Sequence, residues 1–281
     1  MTSRLDAATA PTRAEVEAIE EVEDLAPPSA RVSPNLVRGV SILVALVAWE
    51  FFGRQVNPLF MSYPSAIVAA GLNVAATGEL ESAFLDSARA LVLGFGLAAV
   101  VGVALGLVMG RYRIVEWALD PYVNALYATP LVAIIPLVML WFGLGFSAKL
   151  FIVFIMTLFP ILINTAAGVA NVSQSLVDVA LAFAANERQV FTKIIMPAAL
   201  PYIMTGLRLG IGRAIIGMVV AEFFTAITGL GAMIVKYGNF FKTDVMLVPV
   251  LILMVLGIVL TEALKRAETA IAPWKETERT Q

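Results

Sequence analysis

Four ionisable residues stand inside stretches otherwise apolar enough for lipid: Glu50, Arg208, Arg213 and Glu222. A carboxylate or guanidinium at membrane depth pairs with an opposite charge, meets backbone carbonyls or faces a water-filled path, and so marks a functional site by default. A fifth feature is the stretch "DVALAFAANERQVFTKIIMPAALP", Asp178 to Pro201, which clusters Asn186, Glu187, Arg188 and Gln189 and leaves through Pro197 and Pro201. The chain has no Cys and no His. Disulfides, thiolate metal sites and imidazole ligands are therefore excluded, and with them the one side chain that switches charge near neutral pH unaided. What remains is the chemistry of charge pairing, hydrogen bonding and docking.

The elements that must position these residues follow from composition. At 60% hydrophobic and 14% charged, the 281 residues lie outside the soluble norm and read as an all-α integral membrane protein. The net charge of -2 gives no footprint for nucleic acid, and acidic residues gather near the start, in "EVEAIEEVEDL". Residues 1–35 read as a hydrophilic tail without the apolar core of a signal peptide, and Val16, Ile19, Val22 and Leu25 allow one short amphipathic helix within it.

Uncharged runs of roughly 20 residues are long enough to cross the hydrocarbon core. Three stand out, Ala90 to Gly110, Tyr122 to Phe142 and Leu150 to Ala170. Val245 to Thr261 is shorter, with Glu262 and Lys265 able to snorkel at its end. Leu36 to Val56 carries Glu50, and Ile203 to Phe224 carries Arg208, Arg213 and Glu222. Six spans in residues 36–266 result, with a short tail over 267–281. Arg208 is expected to snorkel to the nearer interface. The segments holding Arg111 with Arg113, Arg188 with Lys193, and Lys265 with Arg266 fall on one side with both termini, which the positive-inside rule makes cytosolic.

Finer punctuation fills in the spans. Ala98, Gly102, Gly106 and Gly110 make a smooth stripe on which another helix can approach closely. Pro130 and Pro136 free carbonyls and can kink the third span, a device that pathway-lining and merely structural helices both use. In the polar stretch, "SLVD" predicts a helix capped by Ser175, and "NERQ" predicts a second, capped by Asn186 with Gln189 closing the box. Pro197 and Pro201 are expected to end that second helix. By itself such a helical loop serves either as an interfacial spacer or as a docking device.

The stretch resembles the EAA loop of the permease subunits of bacterial type I ABC importers. That pattern has an acidic residue, two small residues, a Gly a few positions on and a later I-x-x-P. Asp178 stands at the acidic position, Val179 and Ala180 at the small ones, Ala184 at the Gly, and Ile194 and Pro197 at the terminal signature. "SARALVLGFGLAAVVGVALGLVMG", "PLVAIIPLVMLWFGLG" and "GLRLGIGRAIIGMVVAEF" are similar to the nitrate, taurine and sulfonate branch of these permeases. The departures are Asp178 for Glu and Ala184 for Gly. Since Ala tolerates positive φ poorly, Ala184 is expected in a helical or extended conformation.

The resemblance implies a six-helix, MetI-like permease whose loop over 172–201 docks on a cytosolic ABC ATPase dimer. Asp178, Ala180, Ala184, Ala185, Asn186, Glu187, Arg188 and Pro197 would make that coupling surface, with Ala184, Ala185 and Asn186 at close quarters in the ATPase groove. It further implies a second permease chain, read as a homodimer, and an external solute-binding protein delivering a nitrate-, sulfonate- or taurine-like anion. The setting is the bacterial inner membrane. No cofactor is expected in the chain itself; ATP and Mg belong to the partner ATPase, in keeping with the absence of a G-x-x-x-x-G-K-[ST] loop from these residues. Glu50, Pro130, Pro136, Arg213 and Glu222 are the candidates for the translocation pathway or its gate, Glu222 by exchanging partners between transport states. A secondary transporter driven by an ion gradient would also bury Glu and Arg, but no inverted repeat of interrupted spans is visible.

Overall fold

The computed structural model describes residues 33–225 and 227–271, and every regular element among them is a helix. The expectations placed on residues 1–32 and 272–281 lie outside the described residues. Two compact units are distinguished, residues 1–49 and 50–281. The described part of the first holds the start of helix α1, Pro34–Gly53, whose apolar side chains from Leu36 to Val47 are exposed.

In the second unit, α2 (Pro64–Ala76) precedes the long α3 (Glu79–Arg111). Glu79 and Glu81 in the first turn of α3 and Arg111 in its last match the helix dipole at both ends. Next come α4 (Arg113–Ala128), a 3-10 turn (Leu131–Ile134) and α5 (Ile135–Phe142). The run Tyr122 to Phe142 is thus no single straight rod, for α4 and the following pair are bent by 87°. The cause is Pro130, which drives Thr129 to an extended ψ of 133, as the residue before a proline prefers. Pro136 sits in the first turn of α5, where its missing N–H has no partner to lose.

α6 (Phe146–Ala170) is central and packs along its length on α3 and on α9 (Met196–Thr225). α10 (Leu230–Asn239) and α11 (Thr243–Ile271) pack together, with α2 against α11. The last helix runs past residue 266, where a tail was expected to begin. Arg208 does not snorkel alone, since its guanidinium pairs with the buried carboxylate of Glu268 on α11.

Glycines set the registry of the centre. A Cβ at Gly94 would collide with Val153, at Gly102 with Ile161, at Gly106 with Thr165 and at Gly110 with Val169. Both series climb together, so α3 and α6 are parallel. On the other side Gly206 meets Ile161 and Gly217 meets Met156, so α9 is antiparallel to α6. Among the described residues five helices are long and apolar enough to cross a membrane, and six when the bent pair is one span. The parallel course of α3 and α6 requires the chain between them to cross back, which makes the bent pair the sixth span. Gly106→Ala, whose Cβ would lie 2.6 Å from the Thr165 Cβ and 2.7 Å from the Leu162 carbonyl oxygen, should lose about 1–3 kcal/mol by overpacking. Gly96→Ala, which meets nothing within 4 Å, should not; thermal unfolding of the two in detergent makes the comparison.

Pro197 and Pro201 do not end the helix before them. One continuous helix runs from Glu187 to Thr225. A π-turn over Phe191–Ile195, closed by the Met196 N–H on the Phe191 carbonyl, widens the backbone just where Pro197 cannot donate. Pro197 then occupies the first turn of α9.

Candidate functional site

The polar stretch is a helical elbow at the end of the bundle where α3 and α6 finish. α7 covers Gln174–Ala182 and α8 covers Glu187–Val190. The first cap is not where the sequence places it: Ser173 is the N-cap, its hydroxyl lies 2.7 Å from that of Ser175, and Asp178 accepts a hydrogen bond from Gln174 at 3.0 Å. The second is as expected, a reciprocal box in which the Asn186 side chain accepts from the Gln189 N–H and the Gln189 side chain from the Asn186 N–H, both at 2.9 Å.

Between the caps the chain reverses at Ala184, with φ 57. The expectation of a helical or extended Ala184 is therefore corrected. The Ala185 N–H reaches back to the Ala180 carbonyl at 3.0 Å, and this closure after α7 demands a left-handed residue. The Cβ costs about 1 kcal/mol there, so Ala184→Gly should raise stability by up to that amount, read as an upward shift in melting temperature.

The elbow divides its side chains between two faces. Val177, Ala180 and Ala185 turn inward onto a core of Val169, Val190, Ile195, Ala199 and Ile203. Ala185 thus fits against its own chain as much as against any partner. Leu176, Val179 and Phe183 face outward, Phe183 with 85% of its surface exposed. Their spacing of three and four residues puts the three on one helical face. Arg111 at the end of α3 straps the elbow through Glu187 at 2.8 Å, and Arg188 remains exposed.

A second constellation sits at the opposite end. Glu222 on α9 is fully buried. Its Oε1 accepts from the Ser87 hydroxyl at 2.7 Å and from Lys149 Nζ at 3.4 Å, and its Oε2 accepts from the Gly231 N–H at 2.8 Å. Lys149, 3% exposed, also donates to the Thr228 carbonyl at 2.6 Å and hydroxyl at 3.0 Å, while Ser87 accepts from the Leu230 N–H at 2.8 Å. Glu222 and Ser87 thereby each accept one of the orphan amides at the start of α10. Gly229 (φ 107) is required, since a Cβ there would lie 2.0 Å from Glu222 Oε1. One carboxylate thus ties together α3, α6, α9 and the loop into α10. Neither Lys149 nor Ser87 announces itself in the sequence; the "GLG" at Gly229–Gly231 was the available hint of a close approach.

The remaining candidates are apart from both sites. Both Glu50 oxygens are engaged, by the Ser65 N–H at 3.0 Å, the Ser65 hydroxyl at 2.7 Å and Arg54 at 2.7 Å, which caps the start of α2. Arg213 is exposed on α9. Near the Glu222 network, Glu79 accepts from Lys236 at 2.8 Å and Tyr237 at 2.7 Å. That carboxylate raises the pKa of both groups above its ordinary value.

The model of the family described as binding-protein-dependent transport system inner membrane component matches residues 98–272. The chain belongs to this family. The permease is 34% identical over 249 residues to a putative ABC transporter permease protein of Methanocaldococcus jannaschii, covering 86% of this chain and 93% of the relative. It is 30% identical over 242 residues to the taurine transport system permease protein TauC of Escherichia coli, covering 84% and 88%. Its fold matches the MetNI methionine ABC transporter in an inward-facing conformation, with a TM-score of 0.55 at 18% identity over 70% of this chain and 97% of that one. The permease is thus a multi-pass inner-membrane subunit of a type I ABC importer, of the nitrate, taurine and sulfonate branch. In such systems an ATPase and a solute-binding protein are separate partners. The ion-gradient alternative finds no support.

Proposed function

We propose that this permease imports a small anionic solute of the nitrate, sulfonate or taurine type, as one half of a homodimer driven by a cytosolic ATPase dimer that holds the ATP and Mg. The observation that carries the reading is the outward apolar face of the elbow, Leu176, Val179 and Phe183, set on a frame made rigid by the Asn186 capping box and the Arg111–Glu187 pair. Exposed large apolar groups beside charged ones at the end of a membrane bundle suit a protein groove. Asp178, Glu187 and Arg188 would form the polar rim of that contact, Ala180, Ala184 and Asn186 would hold its backbone shape, and the continuous helix through Pro197 would carry its motion into α9. Both termini are read as cytosolic, on the side of Arg111, Arg113, Arg188 and Lys193.

Glu222 is read as the lock of the gate, while Glu50 positions α2. Pro130 and Pro136 shape the broken span, whose second half packs on α6 through Ile135 and Val138. Substrate reaches the far face from an external binding protein, and the likeness to the taurine permease is what favours a solute that bears a sulfonate-type oxyanion group. Coexpression with the ATPase, followed by native mass spectrometry, should give two copies of this chain and two of the ATPase. A functional complex holding one copy of this chain would overturn the homodimer, and a permease that never retains the ATPase would overturn the coupling assignment.

A further inference from the structure

Arg213 lies midway along α9, about 18 Å from Thr225 and about 25 Å from Met196 at 1.5 Å per residue, further than its side chain can reach to either end. The opposite face of α9 is pressed on α6 through Gly206, Gly210 and Gly217. Arg213 shares the exposed face with Leu209, Gly212 and Ile216, and a Cβ at Gly212 would meet nothing within 4 Å. Lys149 is neutralised by Glu222 and Arg208 by Glu268, while the exposed Arg89 lies over the Phe146 ring at 4.8 Å. Among the described residues no carboxylate pairs with Arg213. An unpaired guanidinium at mid-span is among the least tolerable groups in hydrocarbon, so this face cannot be turned to lipid.

We propose that the stripe Leu209, Gly212, Arg213 and Ile216 lines the aqueous solute path, and that Arg213 from each of the two copies is the charge filter that favours anionic solutes. This rests on the reading of a homodimeric permease. A guanidinium offers a planar fork for carboxylate, sulfonate or other oxyanion groups, and two of them across a narrow path raise the local concentration of anions while repelling cations.

The chain contains no Cys, so a single introduced thiol can be read without background. Ile216→Cys, in the transporter assembled with its ATPase in nanodiscs, is treated with sulfonatoethyl methanethiosulfonate (anionic) or trimethylammonioethyl methanethiosulfonate (cationic). Both should react, and Arg213→Gln in the same background should lower the anionic-to-cationic rate ratio by roughly 10-fold, as expected for one unit charge a few ångströms away in a wet site. Reaction with N-ethylmaleimide but with neither charged reagent would place the stripe in lipid and overturn the proposal. An unchanged ratio after Arg213→Gln would overturn the filter, as expected if a carboxylate of the second copy neutralises Arg213. Retention of the ATPase, measured on the same preparations, separates these results from failure of the permease reading.

Discussion

Phe183→Asp should strip the ATPase from the purified complex and abolish ATP-driven uptake while leaving the membrane bundle folded. Phe183 is the most exposed large apolar side chain of the elbow and contributes to none of the cores, so its loss costs the isolated chain little. Burying a Phe side chain in a partner groove is worth about 1.5–3 kcal/mol, and a carboxylate in its place adds a desolvation penalty. The ATPase should therefore bind at least about tenfold more weakly. Ala185→Trp is a poorer probe, because Ala185 packs against its own chain and the substitution would strain the elbow from within. The comparison is copurification and ATP hydrolysis for Phe183→Asp and Phe183→Leu at matched membrane abundance. Full ATPase retention by the Asp variant would remove the docking face from this account.

The second large effect is expected at the buried pair. Removing one partner from a buried ion pair typically costs about 3–5 kcal/mol, because the other charge is left unpaired. Lys149→Met should accordingly destabilise the permease severely, since Glu222 keeps only the Ser87 hydroxyl and the Gly231 amide. Glu222→Gln is gentler. Its amide retains one oxygen acceptor but presents a donor to either the Gly231 N–H or the Ser87 and Lys149 donors, loosening the start of α10 while Lys149 keeps Thr228. Uptake should fall while ATPase retention stays normal, as the elbow lies at the other end of the bundle. Combining Lys149→Met with Glu222→Gln should recover part of the stability lost by Lys149→Met alone, the signature of a direct coupling. Equal stabilities for wild type and Lys149→Met would show that the pair holds nothing together.

By itself the sequence determined the membrane character, the spans other than the bent one, the small-residue stripe of α3, the capping box at Asn186 and the family. Each rests on local periodicity or on a short motif, and both depend on residues near one another in the chain. Only the tertiary structure decided the rest. The π-turn that carries the helix through Pro197 and Pro201 depends on how the widened backbone is held between neighbours. The left-handed Ala184 is forced by closure of the elbow onto Ala180, against the preference of its own side chain. Which cation or hydroxyl meets which carboxylate, Lys149 and Ser87 with Glu222, Arg208 with Glu268, Ser65 with Glu50, was beyond any reading of spacing. Each of these contacts joins residues from different helices. In a low-dielectric bundle the partner of a buried charge is whichever opposite group the helix packing brings within reach, and sequence spacing does not encode that geometry.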